Sequence, residues 1–123
     1  MVSSVDNFKD LRIWQESVAL AKLIYSLVDH LPDKERYGLR SQITRACVSV
    51  ASNIAEGSRR KSTKDLVHFL GIALGSLAET ETQLIIATEV GFFKSEQIEP
   101  CLVMIDSISR GIVKLRQTLE KRL

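Results

Sequence analysis

Apolar residues recur at helical spacing in four long segments of the chain, which are separated by three short polar clusters. The first segment carries a heptad row from Leu11 to Val28 and a second apolar row from Ile13 to Leu31 beside it. Two rows cover more of a helix surface than a two-stranded coiled coil uses, so this helix should contact at least two neighbours. The second segment, residues 37–56, has the same pitch, with many small apolar residues.

The third and fourth segments also repeat apolar residues at heptad spacing, and typical helix-end signals bound the segments. Ser62 begins a sequence that matches a capping box, and Gly57 and Gly91 fit the position just after a helix. Ser95 is a candidate N-cap for the fourth helix. Pro100 falls in the first turns of that helix, where proline is tolerated.

These patterns predict four helices of about 20 to 28 residues each, and no segment has the alternation of a strand. Short connections between long helices make consecutive helices antiparallel neighbours. A length of 123 residues suits one domain. The sequence therefore predicts an all-α protein, with residues 1–123 folded as one up-down-up-down antiparallel four-helix bundle.

Composition excludes several classes of protein. A chain that is 45% hydrophobic and 26% charged is too apolar for intrinsic disorder. No stretch approaches about 18 uncharged apolar residues, which predicts that no helix spans a membrane, and residues 1–10 lack the apolar run of a signal peptide. Cys47 and Cys101 lie in apolar helical segments, which favours buried thiols in a reduced, cytoplasmic protein.

Signatures of catalysis and of metal binding are missing from the sequence. Di-iron bundles need Glu-x-x-His motifs on two helices, whereas this chain has a single Asp65-x-x-His68. It has neither a phosphate-binding Walker loop nor a nucleophile elbow. Gly71-x-x-x-Gly75 lies mid-helix, where it favours close helix packing over phosphate binding. The sequence predicts a non-enzyme without a cofactor, a metal or a small-molecule substrate.

Polar residues form a stripe on each of the two middle helices. The stripes consist of Arg45, Ser49, Asn53 and Glu56 on the second helix, and of Ser76 and Glu79 on the third. The stripes either face water or form a structural polar network, within the chain or between subunits. The small residues alongside favour the network. An inward-facing Arg45 would need a carboxylate partner, and Glu79 is the candidate by sign and depth.

The net charge of +2 is distributed unevenly. Residues 65–106 have a net charge of −6, while residues 1–64 and 107–123 each have +4. In the predicted bundle, the loop between the second and third helices shares one end with both termini. That end collects Arg59, Arg60, Lys61, Lys64, Arg116, Lys121 and Arg122.

This basic cluster has two possible roles. Basic residues at the ends of the second and fourth helices complement the helix dipoles, and they are also candidate contacts to the phosphate backbone of a nucleic acid. No aromatic residue lies within 59–64, so the loop does not predict base stacking.

The polar stripes belong to a longer pattern along the chain. It consists of Phe8-x-x-Leu11-x-x-Trp14, Tyr37-Gly38-Leu39-x-x-Gln42-x-x-Arg45-Ala46, Val48-Ser49-x-x-x-Asn53-Ile54-Ala55-Glu56-Gly57 and Ala73-x-Gly75-Ser76-x-x-Glu79. Through these runs nearly the whole chain resembles the four-helix bundle proteins encoded in intervening sequences of bacterial 23S rRNA genes. That family is similar in turn to the accessory variability determinant of diversity-generating retroelements, a ring-forming bundle that associates with a reverse transcriptase and with nucleic acid.

The resemblance implies a cytoplasmic bacterial protein that assembles as a homo-oligomer, a pentameric ring, and brings no catalytic residues. It implies that the polar stripe residues are determinants of fold or assembly. Two functions stay open. One is a scaffold that binds RNA or DNA, or a nucleic-acid-processing protein such as a reverse transcriptase, through its basic end. The other is a protein–protein interaction or assembly module with no nucleic-acid role.

Overall fold

Four α-helices form most of the protein in a computed structural model that describes residues 7–123. They are α1 (Arg12–Val28), α2 (Leu39–Arg59), α3 (Thr63–Glu89) and α4 (Ser95–Glu120), and short 3₁₀ turns lie at Phe8–Asp10 and Asp33–Glu35. The range 7–123 contains no strand. Residues 1–6 lie outside the described residues, and with them most of the segment that was predicted not to be a signal peptide.

The four helices close into a bundle. Each helix packs against two others, since α1 and α3 both contact α2 and α4. No Cα atom of α1 lies within 8 Å of one in α3, and the same holds for α2 and α4, so these pairs sit diagonally. The predicted all-α, up-down-up-down antiparallel four-helix bundle is confirmed.

The side of α1 that enters the core is the second of the two apolar rows. Ile13, Leu20, Ile24 and Leu27 are buried, whereas the row from Leu11 to Val28 is mostly half-buried. The two rows differ because α1 packs against both α2 and α4, so its inward face points between them. The outer row therefore forms the flank of the helix rather than its main contact.

The heptad row of α3 enters the core as predicted. Its members Leu66, Leu70, Ala73, Leu77, Leu84 and Ala87 are all buried. Thr80 fills the polar gap in this row and is fully buried, and its hydroxyl donates to the Ser76 carbonyl at 2.8 Å. A hydroxyl is tolerated in the core because this bond satisfies it.

Two of the predicted helix-end signals match the structure. The Ser62 hydroxyl accepts the Asp65 backbone N–H at 3.0 Å, which is an N-cap. Gly91 adopts a φ of +92° just after α3. The Gly91 N–H donates to the Thr88 carbonyl and the Phe92 N–H to the Ala87 carbonyl, at 3.0 and 2.8 Å, which is the Schellman pattern that ends a helix.

The other two helix-end predictions are wrong. Gly57 lies inside α2, which continues to Arg59, and a Cβ at Gly57 would lie 2.8 Å from the Phe69 Cβ on α3. Glycine is needed there for the close approach of two helices rather than for a turn. Ser95 is the first residue of α4 and Lys94 is its N-cap, because the Gln97 side chain accepts the Lys94 N–H at 2.8 Å.

The exclusion of a membrane-spanning helix from composition stays a prediction. Among the described residues, α3 is long and apolar enough to cross a membrane by length and composition, a test that core helices of soluble proteins also pass. One third of its most apolar window is buried in the bundle. A single chain thus leaves much apolar surface of α3 uncovered, including Ile72 and Ile86 on its outer side.

Candidate nucleic-acid interface

The predicted basic residues meet at one end of the bundle. Arg60, Lys61 and Arg122 line a small cavity of about 80 Å³ together with Leu66 and Leu119, where the loop after α2 meets the end of α4. We call this surface the basic end; it consists of Arg59, Arg60, Lys61, Lys64, Lys121 and Arg122, all of them exposed.

Arg116 lies nearby but has a different role. It is half-buried, and its Nε donates to the Val67 carbonyl of α3 at 3.2 Å. Its Nη2 would lie 3.3 Å from a Cβ at Gly71, so that glycine leaves room for the guanidinium. Arg116 joins α4 to α3, and we leave it out of the basic end.

Few carboxylates neutralise the basic end. Arg60 binds the Glu56 carboxylate with Nη2–Oε2 and Nε–Oε2 distances of 2.9 Å. None of the other five cations of the basic end has an ion pair among residues 7–123. At the opposite end Arg40 pairs with Asp29 at 2.9 Å. The basic end thus keeps most of its positive charge.

Aromatic rings lie under two of these arginines. The Cζ of Arg59 lies 5.2 Å from the centre of the Phe8 ring, and the Cζ of Arg60 lies 5.0 Å from the centre of the Phe69 ring. The loop sequence contained no sign of these rings, because they come from the N-terminal turn and from α3. No aromatic residue lies within 59–64 itself, but the fold brings two rings to the loop from other parts of the chain.

Three of the predicted polar residues form the expected network between α2 and α3. The Ser76 hydroxyl donates to the Ser49 hydroxyl at 2.9 Å. The Asn53 amide donates to the same hydroxyl at 2.9 Å and to the Ser49 carbonyl at 2.8 Å. These bonds satisfy polar groups between packed helices, which is a structural function.

The other three polar residues lie outside this network. Glu56 is exposed and binds Arg60. Arg45 and Glu79 are also exposed, and none of the ion pairs among the described residues joins them. The expected pairing of an inward-facing Arg45 with Glu79 does not occur among the described residues. Arg45 lies at the surface, where water solvates its charge and no carboxylate partner is needed.

Arg45 and Glu79 nevertheless border one surface depression of about 360 Å³, together with Ser49 and Gln83. We call this depression the α2–α3 groove; it continues past Gly75 and Ala78 towards Ile86. The Oε1 atom of Gln83 is buried and has no hydrogen-bond partner among the described residues. Sequence reasoning missed Gln83, because nothing in its spacing separates it from other surface polar residues.

The two cysteines lie in the core as free thiols. Burial raises the pKa of both thiols to about 11, and Cys101 adds a smaller upward effect on the pKa of Cys47. Thiols with such a pKa are poor nucleophiles at neutral pH. A disulfide between them would need closer helices, since no Cα atoms of α2 and α4 approach within 8 Å.

Among residues 7–123, no group of three or more His, Cys, Asp or Glu side chains could hold a metal ion.

The family profile described as "23S rRNA-intervening sequence protein" matches residues 9–114. The chain belongs to the 23S rRNA-intervening sequence protein family. No curated protein matches the sequence.

A solved structure supports the same assignment. A protein of unknown function from the S23 ribosomal protein family of Bacteroides thetaiotaomicron is similar, with 25% sequence identity and a TM-score of 0.78. The match covers 85% of this chain and 97% of that chain. Neither match supplies a catalytic residue for this member of the 23S rRNA-intervening sequence protein family.

Proposed function

We propose that this protein is a non-enzymatic, homo-oligomeric scaffold of the cytoplasm that binds RNA through its basic end. The RNA is either free or part of a ribonucleoprotein or reverse-transcriptase partner. The observation that carries the proposal is the basic end itself, where six exposed cations cluster and one of them, Arg60, is ion-paired among the described residues. A surface of this kind suits a phosphate backbone, because each contact releases condensed counterions.

Reversing the charge of the loop tests the RNA-binding half of the proposal. We expect Arg59→Glu/Arg60→Glu/Lys61→Glu/Lys64→Glu to weaken binding of a structured RNA by at least about tenfold at 100 mM salt, since phosphate contacts become repulsive. Fluorescence anisotropy measures the dissociation constant. For the wild type, the logarithm of affinity should fall with the logarithm of salt, with a slope that grows with the number of phosphates contacted.

A matched control reverses charges at the opposite end of the bundle. Lys34→Glu/Arg36→Glu/Lys94→Glu should leave RNA binding within about twofold of the wild type. Far-UV circular dichroism checks that both variants keep their helices. Equal RNA affinity of the loop variant and the wild type would contradict a role for the basic end.

The α2–α3 groove supports the assembly half of the proposal. Arg45 and Glu79 are exposed on the rim of this groove and do not form an ion pair with each other. The Gln83 Oε1 atom is buried and has no hydrogen-bond partner among the described residues. Gly75 leaves open space, since nothing lies within 4 Å of a Cβ built there. A neighbouring copy could supply the missing polar partners and approach closely over this glycine. The family resemblance suggests a pentameric ring, in which several basic ends would bind one RNA with avidity.

Gly75→Leu separates assembly from folding. A leucine fits the single chain because the space above Gly75 is open, but it should block a helix that packs there. Multi-angle light scattering at micromolar concentration is expected to show an oligomer for the wild type and a smaller species for Gly75→Leu. The control Thr118→Leu, at an exposed position on α4, should assemble like the wild type. A monomeric wild type would refute the assembly proposal.

A further inference from the structure

The arrangement of arginine and aromatic side chains goes further than a general attraction to phosphate. Resting on the RNA-binding role proposed above, we propose that Arg59 and Arg60 are two stacking platforms for unpaired bases. Each guanidinium plane would lie between a phenyl ring of the protein and a base of the RNA. The preferred ligand would then be single-stranded or looped RNA rather than a regular duplex.

Each platform has a ring beneath it that is itself supported. Phe8 lies under Arg59 and meets the Trp14 ring edge-on, with ring centres 5.3 Å apart. Phe69 lies under Arg60, and its ring centre is 5.2 Å from that of His68, again edge-on. Edge-to-face contacts of this kind are favourable. Each guanidinium group thus lies over a ring that is itself in contact with a second ring.

A second contact, with Glu56, also orients the Arg60 side chain. Its Nε and Nη2 atoms both lie 2.9 Å from the Oε2 atom of Glu56, so one edge of the guanidinium is occupied. The Cζ atom of Arg60 lies over the Phe69 ring, 5.0 Å from its centre, while 48% of the side chain stays accessible. The Glu56 carboxylate partly neutralises the guanidinium, while much of the side chain remains accessible to a ligand. A cation already paired with a carboxylate attracts phosphate less strongly, whereas its plane can still stack on a base as an aromatic ring does. This favours stacking as the role of Arg60.

Arg59 and Arg60 extend in different directions from the end of α2. Arg59 is the last helical residue, and Arg60 follows with extended backbone angles of −72° and 156°. Arg59 therefore reaches the N-terminal turn while Arg60 reaches α3. Lys61 follows directly in the chain and Lys64 lies three residues later, and both are exposed. A flexible strand could place one base on each platform and its phosphates against these lysines.

Double-stranded RNA cannot use such platforms. Its bases are stacked on one another, and the deep, narrow major groove keeps side chains from them. An unpaired strand has free base faces that stack on protein side chains with little sequence preference. The predicted selectivity is thus for the unpaired state and not for a particular sequence.

Replacing arginine by lysine tests the proposal, because the charge stays while the plane is lost. We expect Arg59→Lys/Arg60→Lys to weaken binding of a single-stranded 12-nucleotide RNA by at least about tenfold. The affinity of this double lysine variant for an abasic oligomer of the same length and charge should stay within about twofold of that of the wild type. The control Lys61→Arg/Lys64→Arg should change neither affinity by more than about twofold. Phe8→Leu/Phe69→Leu keeps all charges and should resemble the double lysine variant.

The outcomes separate this inference from the proposed function. If the wild type binds no RNA, or binds poly-glutamate as tightly as RNA, the RNA-binding role fails and the stacking platforms fail with it. If the wild type binds RNA but the double lysine variant binds it equally well, the stacking platforms are refuted and the phosphate-binding role stands. A wild type that prefers a 12-base-pair duplex over the single strand also refutes them. Thermal unfolding confirms that each variant is folded.

Discussion

Leu70→Ala is expected to lower the free energy of unfolding by about 2 to 5 kcal/mol. Leu70 is fully buried in the core row of α3. Truncation removes buried apolar surface and leaves a cavity that the surrounding helices cannot fill completely. Urea denaturation followed by circular dichroism measures the change.

The control for this prediction lies two residues along the same helix. Ile72 is 40% exposed on the outer side of α3, and Ile72→Ala should change the free energy of unfolding by less than about 1 kcal/mol. Alanine also has the higher helix propensity, which offsets part of the lost contact. Equal losses for the two variants would mean that α3 is buried on both sides in the state that unfolds.

A second large effect is expected in alkaline solution. The pKa of both Cys47 and Cys101 is raised from 9.0 to about 11 in the folded protein, mainly through burial. Between those two values the unfolded chain releases the thiol protons while the folded chain keeps them. Their contribution to stability is therefore complete below pH 9 and is lost as the pH rises towards 11. The loss should be on the order of 2 kcal/mol for each thiol.

The double variant Cys47→Ala/Cys101→Ala isolates this effect from all other titrations. Its stability at neutral pH changes through lost packing, but that change does not depend on pH. Denaturant unfolding at several values between pH 7 and 11 should show that the wild type loses stability faster than the variant above pH 9. Parallel curves for the two proteins would contradict a raised pKa of the thiols.

The fold could be predicted from the sequence because apolar spacing and helix-end residues are local signals. The row from Leu66 to Ala87 on α3 enters the core as its spacing indicates. Errors arose where the outcome depends on a neighbouring helix. Gly57 has the sequence context of a helix end, yet the approach of Phe69 makes it an interior contact.

The candidate interface could be predicted in its charge but not in its chemistry. Helix order alone brings Arg60, Lys61 and Arg122 to one end, and the structure confirms that placement. The phenyl rings beneath Arg59 and Arg60 could not be found, because Phe8 and Phe69 are far from the loop in the chain. Likewise, the spacing of Arg45 and Glu79 gives their depth along the bundle but not the direction in which each side chain leaves its helix.

The tight contact at Gly57 links the interior of the bundle to its basic end. The Cβ atom of Phe69 lies close to Gly57, and its ring lies under Arg60. Any side chain added at position 57 would push Phe69 and move the guanidinium that rests on it. A change buried between two helices would therefore appear as altered ligand selectivity, and a screen for RNA-binding variants should recover core position 57 alongside the surface cations.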